Sequence, residues 1–164
     1  MIYRMEGYNN RVPMFTFPIK LDLGAGQYPQ PGHVRIDRDP NSTEIIWDIT
    51  QGIPLPDGSV CELYTSHFLE HLTPTDLHYV LQEMWRVCAN GAKVTIKVPH
   101  GDTWAGKLPC HYNFWTEASM QAINEWFPHQ GHPQYNGNYY DVKRIWREEP
   151  YHLLGEYLIV KGAA

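Results

Sequence analysis

The sequence predicts an α/β fold with a mostly parallel β-sheet that ends in an antiparallel C-terminal hairpin. Short apolar runs alternate with turn signals along the 164 residues. One strongly amphipathic helix separates two of these runs, and a β–α–β order places its two strands parallel. The last two runs are joined by a short turn, which is typical of an antiparallel pair. The length fits a single domain over residues 1–164.

Seven segments have the length and apolar content of β-strands. They are residues 19–23, 33–37, 44–48, 60–66, 92–98, 142–148 and 152–162. Residues 128–140, PHQGHPQYNGNYY, predict a loop before the terminal hairpin because turn-forming residues are dense there.

The clearest helix begins after Thr73, which is expected as its N-cap, with Pro74 in the first turn and Asp76 three residues on. Its apolar stripe comprises Leu77, Val80, Leu81, Met84 and Cys88. Asn90-Gly91 is expected to end it. A second helix is expected after Thr116, with Ala118, Ile123, Trp126 and Phe127 on its apolar side.

Polar residues stand where four successive strands end. Gly24 and Gly26 follow the first strand and let the backbone bend close to a ligand. Such a glycine turn alone is equally typical of a turn with a purely structural role. Asp37 and Asp48 end the next two strands, and Ser66-His67 end the fourth. Because ligands of open α/β sheets bind at the carboxyl ends of strands, these residues predict a ligand site.

The first crossover of the sheet is too short for a helix. Asp37 follows Gly26 by only 11 residues, and the segment QYPQPG (27–32) contains two prolines and a glycine. A dinucleotide site needs a helix N-terminus for its pyrophosphate, so NAD is disfavoured. One face of the sheet should be thinly covered, and we expect the N-terminal segment or a second copy in a homodimer to cover it.

Composition and sequence pattern disfavour several classes of function. The net charge is −5 with no block of Lys or Arg, which disfavours tight duplex binding. No apolar run approaches the length of a membrane span, and the N-terminus lacks the apolar core of a signal peptide. Cys61, Cys88 and Cys110 are widely spaced. They are expected as small buried side chains of a protein in the reducing cytoplasm.

The stretch SHFLEHL (66–72) contains a His-x-x-Glu-His pattern, in which two imidazoles one helical turn apart can bind zinc beside a glutamate base. Such a site needs both histidines on one helix and a third ligand. Here His67 directly follows a strand, and Pro74 starts a new helix shortly after His71. A zinc hydrolase is therefore kept only as an alternative, and no metal is expected.

Five segments together resemble the ordered motifs of class I S-adenosylmethionine (SAM)-dependent methyltransferases, closest to the small type-11-like branch. They are LDLGAG (21–26), RIDRDP (35–40), IIWDITQGIPLPDGSV (45–60), ELYTSHFLEHL (62–72) and EMWRVCANGAKVTIKVP (83–99). The resemblance implies a Rossmann-like three-layer sandwich with a seven-stranded sheet, here with its first crossover helix lost or shortened. It also implies SAM as the cofactor. Because SAM has no phosphate, its binding does not require the N-terminus of the lost helix.

The resemblance further implies a cofactor contact for each polar strand end. Gly24 and Gly26 would flank the methionine part of SAM, and Asp22 would meet its amino end. Asp37 would bind the ribose, Asp48 the adenine amino group and Ile49 the adenine ring. Ser66 and His67 would lie at the methyl end. A general base is needed only for a protonated acceptor, and His67, His71 and His111 are the candidates.

The expected acceptor is a small molecule or a sugar-like compound. A nucleic-acid acceptor is less favoured, because Pro109-Cys110 follows the fifth strand, whereas the Pro-Cys nucleophile of cytosine methyltransferases follows the fourth. The Asp/Asn-Pro-Pro-Tyr motif of amino-directed DNA methyltransferases is also missing. A non-catalytic SAM-binding module or subunit remains the main alternative.

Overall fold

A computed structural model describes residues 2–3, 15–41, 43–126 and 139–162 of the chain. Its strands are β1 (Ile2–Tyr3), β2 (Phe15–Thr16), β3 (Ile19–Leu23), β4 (Val34–Asp37), β5 (Ile45–Ile46), β6 (Val60–Ser66), β7 (Cys88–Pro99), β8 (Tyr139–Glu148) and β9 (His152–Val160). The α-helices in these ranges are α1 (Pro74–Val87) and α2 (Glu117–Trp126), and 3-10 turns cover Ile49–Gln51 and Leu69–His71.

Seven strands form one sheet in the order β5-β4-β3-β6-β7-β9-β8. The first five of these strands are parallel, whereas β9 runs antiparallel to both β7 and β8. The predicted Rossmann-like architecture, mostly parallel with an antiparallel C-terminal pair, is confirmed. β1 and β2 pair separately as a two-stranded antiparallel sheet.

Helix α1 begins where the capping pattern places it. The Thr73 hydroxyl accepts a hydrogen bond from the Asp76 amide at 3.2 Å and donates one to the Asp76 carboxylate at 2.7 Å. The helix ends earlier than predicted, at Val87, and Cys88 is already the first residue of β7. Cys88 is fully buried, so it is part of the apolar core although it is not in the helix.

Other boundaries also differ from the prediction. β5 contains only two residues, and β8 begins at Tyr139, within the predicted loop 128–140, whose remaining residues lie outside the described ranges. In α2, Ala118 is exposed and Met120 is buried with Ile123. The side chain of Trp126 and all of Phe127 lie outside the described part of the chain.

Both described α-helices pack on the same face of the sheet. The hydroxyl of Tyr140 on β8 donates to the backbone oxygen of Leu81 in α1 at 2.6 Å. The hydroxyl of Tyr157 on β9 donates to the backbone oxygen of Met120 in α2 at 3.0 Å. The two buried tyrosine rings contact each other edge to face, so they project from the same side of the sheet.

The opposite face carries a row of ion pairs across four neighbouring strands. Lys20 on β3 pairs with Glu62 on β6 at 2.7 Å. Lys93 on β7 lies between Glu62, at 3.7 Å, and Glu156 on β9, at 3.6 Å. Such charges remain hydrated, so this part of the second face is polar. The N-terminal segment is expected to cover this face, but most of its residues lie outside the described ranges.

The first crossover contains no helix, as predicted. Residues 24–33 form turns between β3 and β4, and the Asp22 carboxylate anchors them by accepting a hydrogen bond from the Gln30 amide at 2.7 Å. Within the described ranges, no helix is long and apolar enough to cross a membrane.

Candidate active site

A cleft of about 530 Å³ opens at the carboxyl ends of the parallel strands. It lies where the strand order reverses, between β3 and β6, which is the place where open α/β sheets bind ligands. Six of the predicted cofactor residues line this cleft, namely Gly24, Gly26, Asp37, Asp48, Ile49 and His67. The pattern of polar strand ends therefore locates the cleft in the structure.

The turn after β3 requires glycine at Gly24. Its φ of +69° is in the left-handed region, and a Cβ at this position would lie 2.5 Å from Cγ of Phe68. The Gly24 amide donates to the backbone oxygen of Ile36 at 2.9 Å, which ties the turn to β4. The floor of the cleft is thus backbone packed directly against an aromatic ring.

Asp37 is held by backbone amides on both sides. One carboxylate oxygen accepts from the Gly26 amide at 2.9 Å, and the other accepts from the Asp39 amide at 2.9 Å. Each oxygen has a second acceptor site. Because Asp37 is only partly buried, its carboxylate can still accept hydrogen bonds from a ligand in the cleft.

Asp48 caps the 3-10 turn that follows β5. Its Oδ1 atom accepts from the Thr50 amide at 3.1 Å and from the Thr50 hydroxyl at 2.8 Å. Among the described residues, no hydrogen bond is shown for Oδ2. The side chain of Asp48 is exposed at the cleft, with the buried Ile49 next to it.

Two predicted cofactor residues, Asp22 and Ser66, are not among the residues that line the cleft. Asp22 is 2% exposed, and burial is the main cause that raises the pKa of its carboxyl group. Its contact with Gln30 shows that it acts on the glycine-containing loop. Ser66 is the last residue of β6 and is paired in the ladder with Lys97.

His67 adopts an unusual backbone conformation at the mouth of the cleft. Its φ of 53° is the one positive value shown for a residue other than glycine in the described chain. The His67 amide donates to the Lys97 backbone oxygen at 2.9 Å. Strained backbone of this kind is concentrated at functional sites, where surrounding contacts hold it.

The His67 imidazole lies between Glu70 and His152. Its Nδ1 atom is 3.4 Å from Oε1 of Glu70, a fully buried carboxylate whose oxygens accept no hydrogen bond in the described part of the chain. The His152 ring stands edge to face at 5.0 Å. Burial, Lys97 and His67 lower the pKa of His152, although Glu148 opposes the shift.

The other two candidate bases form a separate pair. His71 lines the cleft, whereas His111 is buried and does not line it. Their rings are 4.7 Å apart in an edge-to-face arrangement. Of the three candidate bases, His67 and His71 therefore line the cleft, and His111 is not among its lining residues.

The structure separates the two histidines of the His-x-x-Glu-His stretch. Within the described ranges, the group of side chains close enough to share a metal ion is His71, Cys110 and His111, without His67. Cys61 and Cys110 are exposed, so only Cys88 meets the expectation of small buried cysteines. Cys61 lies where the register of β6 shifts, between Val60 and Glu62, and Cys110 lies in a surface turn.

Sequence reasoning missed several residues that line the cleft, and they are Arg38, Thr50, Phe68, Leu72, Thr73, Asp76 and Tyr112. Most follow a predicted strand end by one or a few positions, so proximity in sequence could have identified them. Tyr112 gives no such signal, because its position depends on the loop after β7 folding back onto the Leu69–His71 turn. The Tyr112 amide donates to the Glu70 backbone oxygen at 2.8 Å.

No protein-family model matches the chain, and no curated protein sequence matches it either. Solved structures do. A SAM-dependent methyltransferase from Aquifex aeolicus is 17% identical with a TM-score of 0.58, covering 88% of this chain and 84% of that one. A protein from Sulfolobus solfataricus assigned to the type 11 methyltransferases is 16% identical with a TM-score of 0.59, covering 88% and 85%.

A third similar structure is the 1,6-didemethyltoxoflavin-N1-methyltransferase of Burkholderia thailandensis, solved with 1,6-didemethyltoxoflavin and S-adenosylhomocysteine bound. It is 15% identical with a TM-score of 0.61, and the match covers 87% of this chain and 70% of that one. The chain therefore has the fold of class I SAM-dependent methyltransferases, including type 11 members.

Proposed function

We propose that this protein is a SAM-dependent methyltransferase that acts on a small-molecule or sugar-like acceptor. The observation that carries the proposal is the cleft at the β3–β6 reversal, which brings Gly24, Asp37, Asp48 and His67 together. Its volume, about 530 Å³, is in the range of small-molecule sites. A structurally similar enzyme binds S-adenosylhomocysteine with a small acceptor, which supports the same pairing here.

Cofactor binding in this proposal follows the order of the strands. Gly24 and Gly26 lie beside the methionine part, and the Asp37 carboxylate accepts hydrogen bonds from the ribose hydroxyls. Asp48 and Ile49 hold the adenine. Support comes from the fixed Asp37 carboxylate, whose two backbone partners orient it before any ligand arrives.

The reaction needs little covalent help from the protein. A lone pair of the acceptor attacks the methyl carbon, the bond from that carbon to sulfur breaks, and its electron pair neutralises the sulfonium to give S-adenosylhomocysteine. Holding the two reactants in line supplies much of the rate. For a protonated acceptor, we assign His67 as the base, with the buried Glu70 beside its Nδ1 atom to orient the ring.

Calorimetry with SAM tests this assignment. The wild-type chain should bind SAM, and Asp37→Asn should weaken binding on the order of 10-fold or more, as expected when a ribose loses a charged acceptor. Asp141→Asn is the matched control, because Asp141 lies on β8, pairs with Lys143 and does not line the cleft. Unchanged affinity in Asp37→Asn would reject the role of Asp37, and no binding to the wild type would reject the proposal.

A second candidate is a SAM-binding module that supports a partner enzyme. It is favoured by the turn-only segment 24–33, which replaces the first crossover helix and leaves the cleft bounded there by loop alone. The two candidates differ in turnover. Formation of S-adenosylhomocysteine with any member of a broad acceptor panel excludes the module, whereas binding without turnover across the panel supports it.

The cellular compartment in this proposal is the cytoplasm. Cys61, Cys88 and Cys110 are all free thiols in the described chain. Two of them are exposed, which favours a reducing environment.

A further inference from the structure

A compact group of metal-ligating side chains lies at one wall of the cleft. His71 ends the 3-10 turn Leu69–His71, and Cys110 and His111 are adjacent in the loop between β7 and α2. One donor atom from each of the three lies within 4.8 Å of the others. We propose that His71, Cys110 and His111 bind one Zn²⁺ ion. We refer to them as the His71–Cys110–His111 cluster.

The donor set is that of a zinc site. Zinc binds imidazole nitrogen at about 2.0–2.1 Å and thiolate sulfur at about 2.3 Å. Tetrahedral ligands at those lengths are roughly 3.3–3.8 Å apart, so movements of about 1 Å would bring this group onto an ion. Three protein ligands leave the fourth position open, which is the pattern of catalytic zinc sites rather than structural ones.

The hydrogen bonds of both imidazoles favour metal binding through the same ring atom. Nδ1 of His71 is 3.4 Å from the backbone oxygen of Cys110, and Nδ1 of His111 is 3.4 Å from that of Gly106. A carbonyl oxygen only accepts, so each Nδ1 carries the proton and each Nε2 keeps a lone pair. Ligating histidines in metal sites are oriented by such outer contacts.

The two chain segments that supply the ligands are fastened together independently of any ion. The Asn113 side-chain amide donates to the backbone oxygens of Leu72, at 2.7 Å, and Leu69, at 3.3 Å. The Tyr112 amide donates to Glu70 at 2.8 Å. These bonds therefore hold the two segments close together before metal binds, and only the small movements of the ligand side chains remain.

Packing alone does not account for this cluster. Cys110 and His71 are exposed, so their convergence buries little apolar surface. No carboxylate belongs to the group, and Glu70, which is adjacent to His71 in sequence, contacts His67 instead. A thiolate with two neutral imidazoles carries one negative charge, which a divalent cation more than neutralises.

The site gives the proposed methyltransferase a specific class of acceptor, and this part alone rests on the proposed function. His71 also lines the cleft, so a bound ion would lie at its wall. An acceptor thiol or hydroxyl in the open position would pass its proton to His67, the base assigned above, since zinc would strongly lower the pKa of a bound group. Its lone pair would then attack the methyl carbon of SAM, the bond from that carbon to sulfur would break, and S-adenosylhomocysteine would leave.

The site is tested with metal-depleted, full-length protein titrated with Zn²⁺ against a chromophoric chelator. The wild type should bind one equivalent. Cys110→Ser and His111→Gln should each lower the affinity by at least the roughly 10- to 100-fold that loss of an outer-shell partner costs. Cys61→Ser and His33→Gln are matched controls outside the cluster and should bind as the wild type does.

Co²⁺ provides a second readout that depends on ligand identity rather than on folding. The wild type should show the thiolate-to-cobalt charge-transfer absorption, and Cys110→Ser should lose that band with its circular dichroism unchanged. Wild-type affinity in both cluster variants, or an equal loss in Cys61→Ser, would overturn the site.

SAM calorimetry on the metal-depleted protein separates this proposal from the function. Zinc binding without SAM binding supports the metal site and rejects methyl transfer from SAM. SAM binding without zinc binding supports SAM as the cofactor and rejects the metal site. With both ligands bound, turnover of thiol or hydroxyl acceptors that requires Zn²⁺ supports the acceptor class, and zinc-independent turnover overturns it.

Discussion

Gly24 shows how one residue joins the sheet to the cleft. Its positive φ makes the turn after β3, and the absence of a Cβ lets the Phe68 ring pack over the backbone. Phe68 in turn precedes the 3-10 turn that holds Glu70 and His71. The glycine therefore positions residues from two strand ends, and its role is as much packing as ligand approach.

Replacing Gly24 with alanine should destabilise the protein for two separable reasons. The left-handed backbone costs a residue with a Cβ about 1–2 kcal/mol, and the clash with Phe68 adds about 1–3 kcal/mol of overpacking. Gly58→Ala isolates the first cost, because Gly58 has a φ of +66° with no atom within 4 Å of the added Cβ. Urea unfolding of both variants measures how much more free energy of unfolding Gly24→Ala loses than Gly58→Ala, and that excess is the cost of the clash with Phe68.

A Gly24→Ala loss no larger than that of Gly58→Ala would show that Phe68 moves aside freely. The double variant Gly24→Ala/Phe68→Ala offers a further check, since removing the ring should return part of the lost free energy of unfolding.

At the scale of elements, α2 is attached to the sheet at its first residue. The Glu117 carboxylate receives a hydrogen bond from Nε of Arg147 on β8 at 2.5 Å. Its other oxygen is 3.0 Å from Nε2 of the buried His100. Together Arg147, His100 and the backbone hold the pKa of Glu117 at about 2. The carboxylate thus links α2 to β8 and to the residue that follows β7.

This link predicts a pH dependence. Because folding lowers the pKa of Glu117 from 4.5 to about 2, its contribution is complete above pH 4.5 and is lost as pH falls toward 2. Glu117→Gln should lower the free energy of unfolding by no more than about 1 kcal/mol at pH 7, because the pair is exposed and screened. The gap from the wild type should shrink as the pH falls from 4.5.

Urea unfolding at pH 7, 4 and 3 measures that gap. A double-mutant cycle with Arg147→Met provides the control, since the coupling energy of the two residues should follow the same pH dependence. If the difference in free energy of unfolding between the wild type and Glu117→Gln stays constant with pH, Glu117 contributes through packing and not through its charge.

Helix α1 could be predicted from sequence to within one residue at its start, because Thr73 and Asp76 act locally and the stripe from Leu77 to Met84 is periodic. Its end could not. Cys88 continues the helical spacing, yet it starts β7 by pairing with Val60 of β6, and Gly91 with a φ of +77° lies before the ladder resumes at Lys93. Pairing with a distant strand decided that boundary, and local spacing carries no information about such pairing.

The same contrast between local sequence signals and contacts of distant segments applies to the site. Asp37 and His67 could be placed because parallel strands end at one edge. The approach of Cys110 and Tyr112 to His71 depends on the loop after β7 folding back onto the Leu69–His71 turn. That contact spans about forty positions and leaves no periodic signal, so the histidine pattern alone could not indicate that His71 lies beside Cys110 and His111.

At the scale of the whole molecule, the sheet is uneven. β7, β9 and β8 form long ladders, and their tyrosines reach both α-helices. At the other edge, β4 has four residues and β5 has two. The cleft takes Asp37, Asp48 and Ile49 from this short edge and His67 from the centre. A ligand there would therefore join the weak edge to the strong centre.

Hydrogen exchange should show this coupling. Without ligand, amides of β4 and β5 should exchange fastest among the seven strands, because short edge strands open at low free energy cost, and those of β7 and β9 slowest. S-adenosylhomocysteine at about 100 times its Kd should slow exchange of β4 and β5 about 100-fold, equivalent to roughly 2.7 kcal/mol, if opening of this edge releases the ligand. Peptide-resolved mass spectrometry measures both patterns. In Asp37→Asn, with its affinity about 10-fold lower, the same ligand concentration should slow exchange only about 10-fold. Slowing spread evenly over β7 and β9 instead would mean that the ligand responds to global unfolding alone, and that the short edge is no separate cooperative unit.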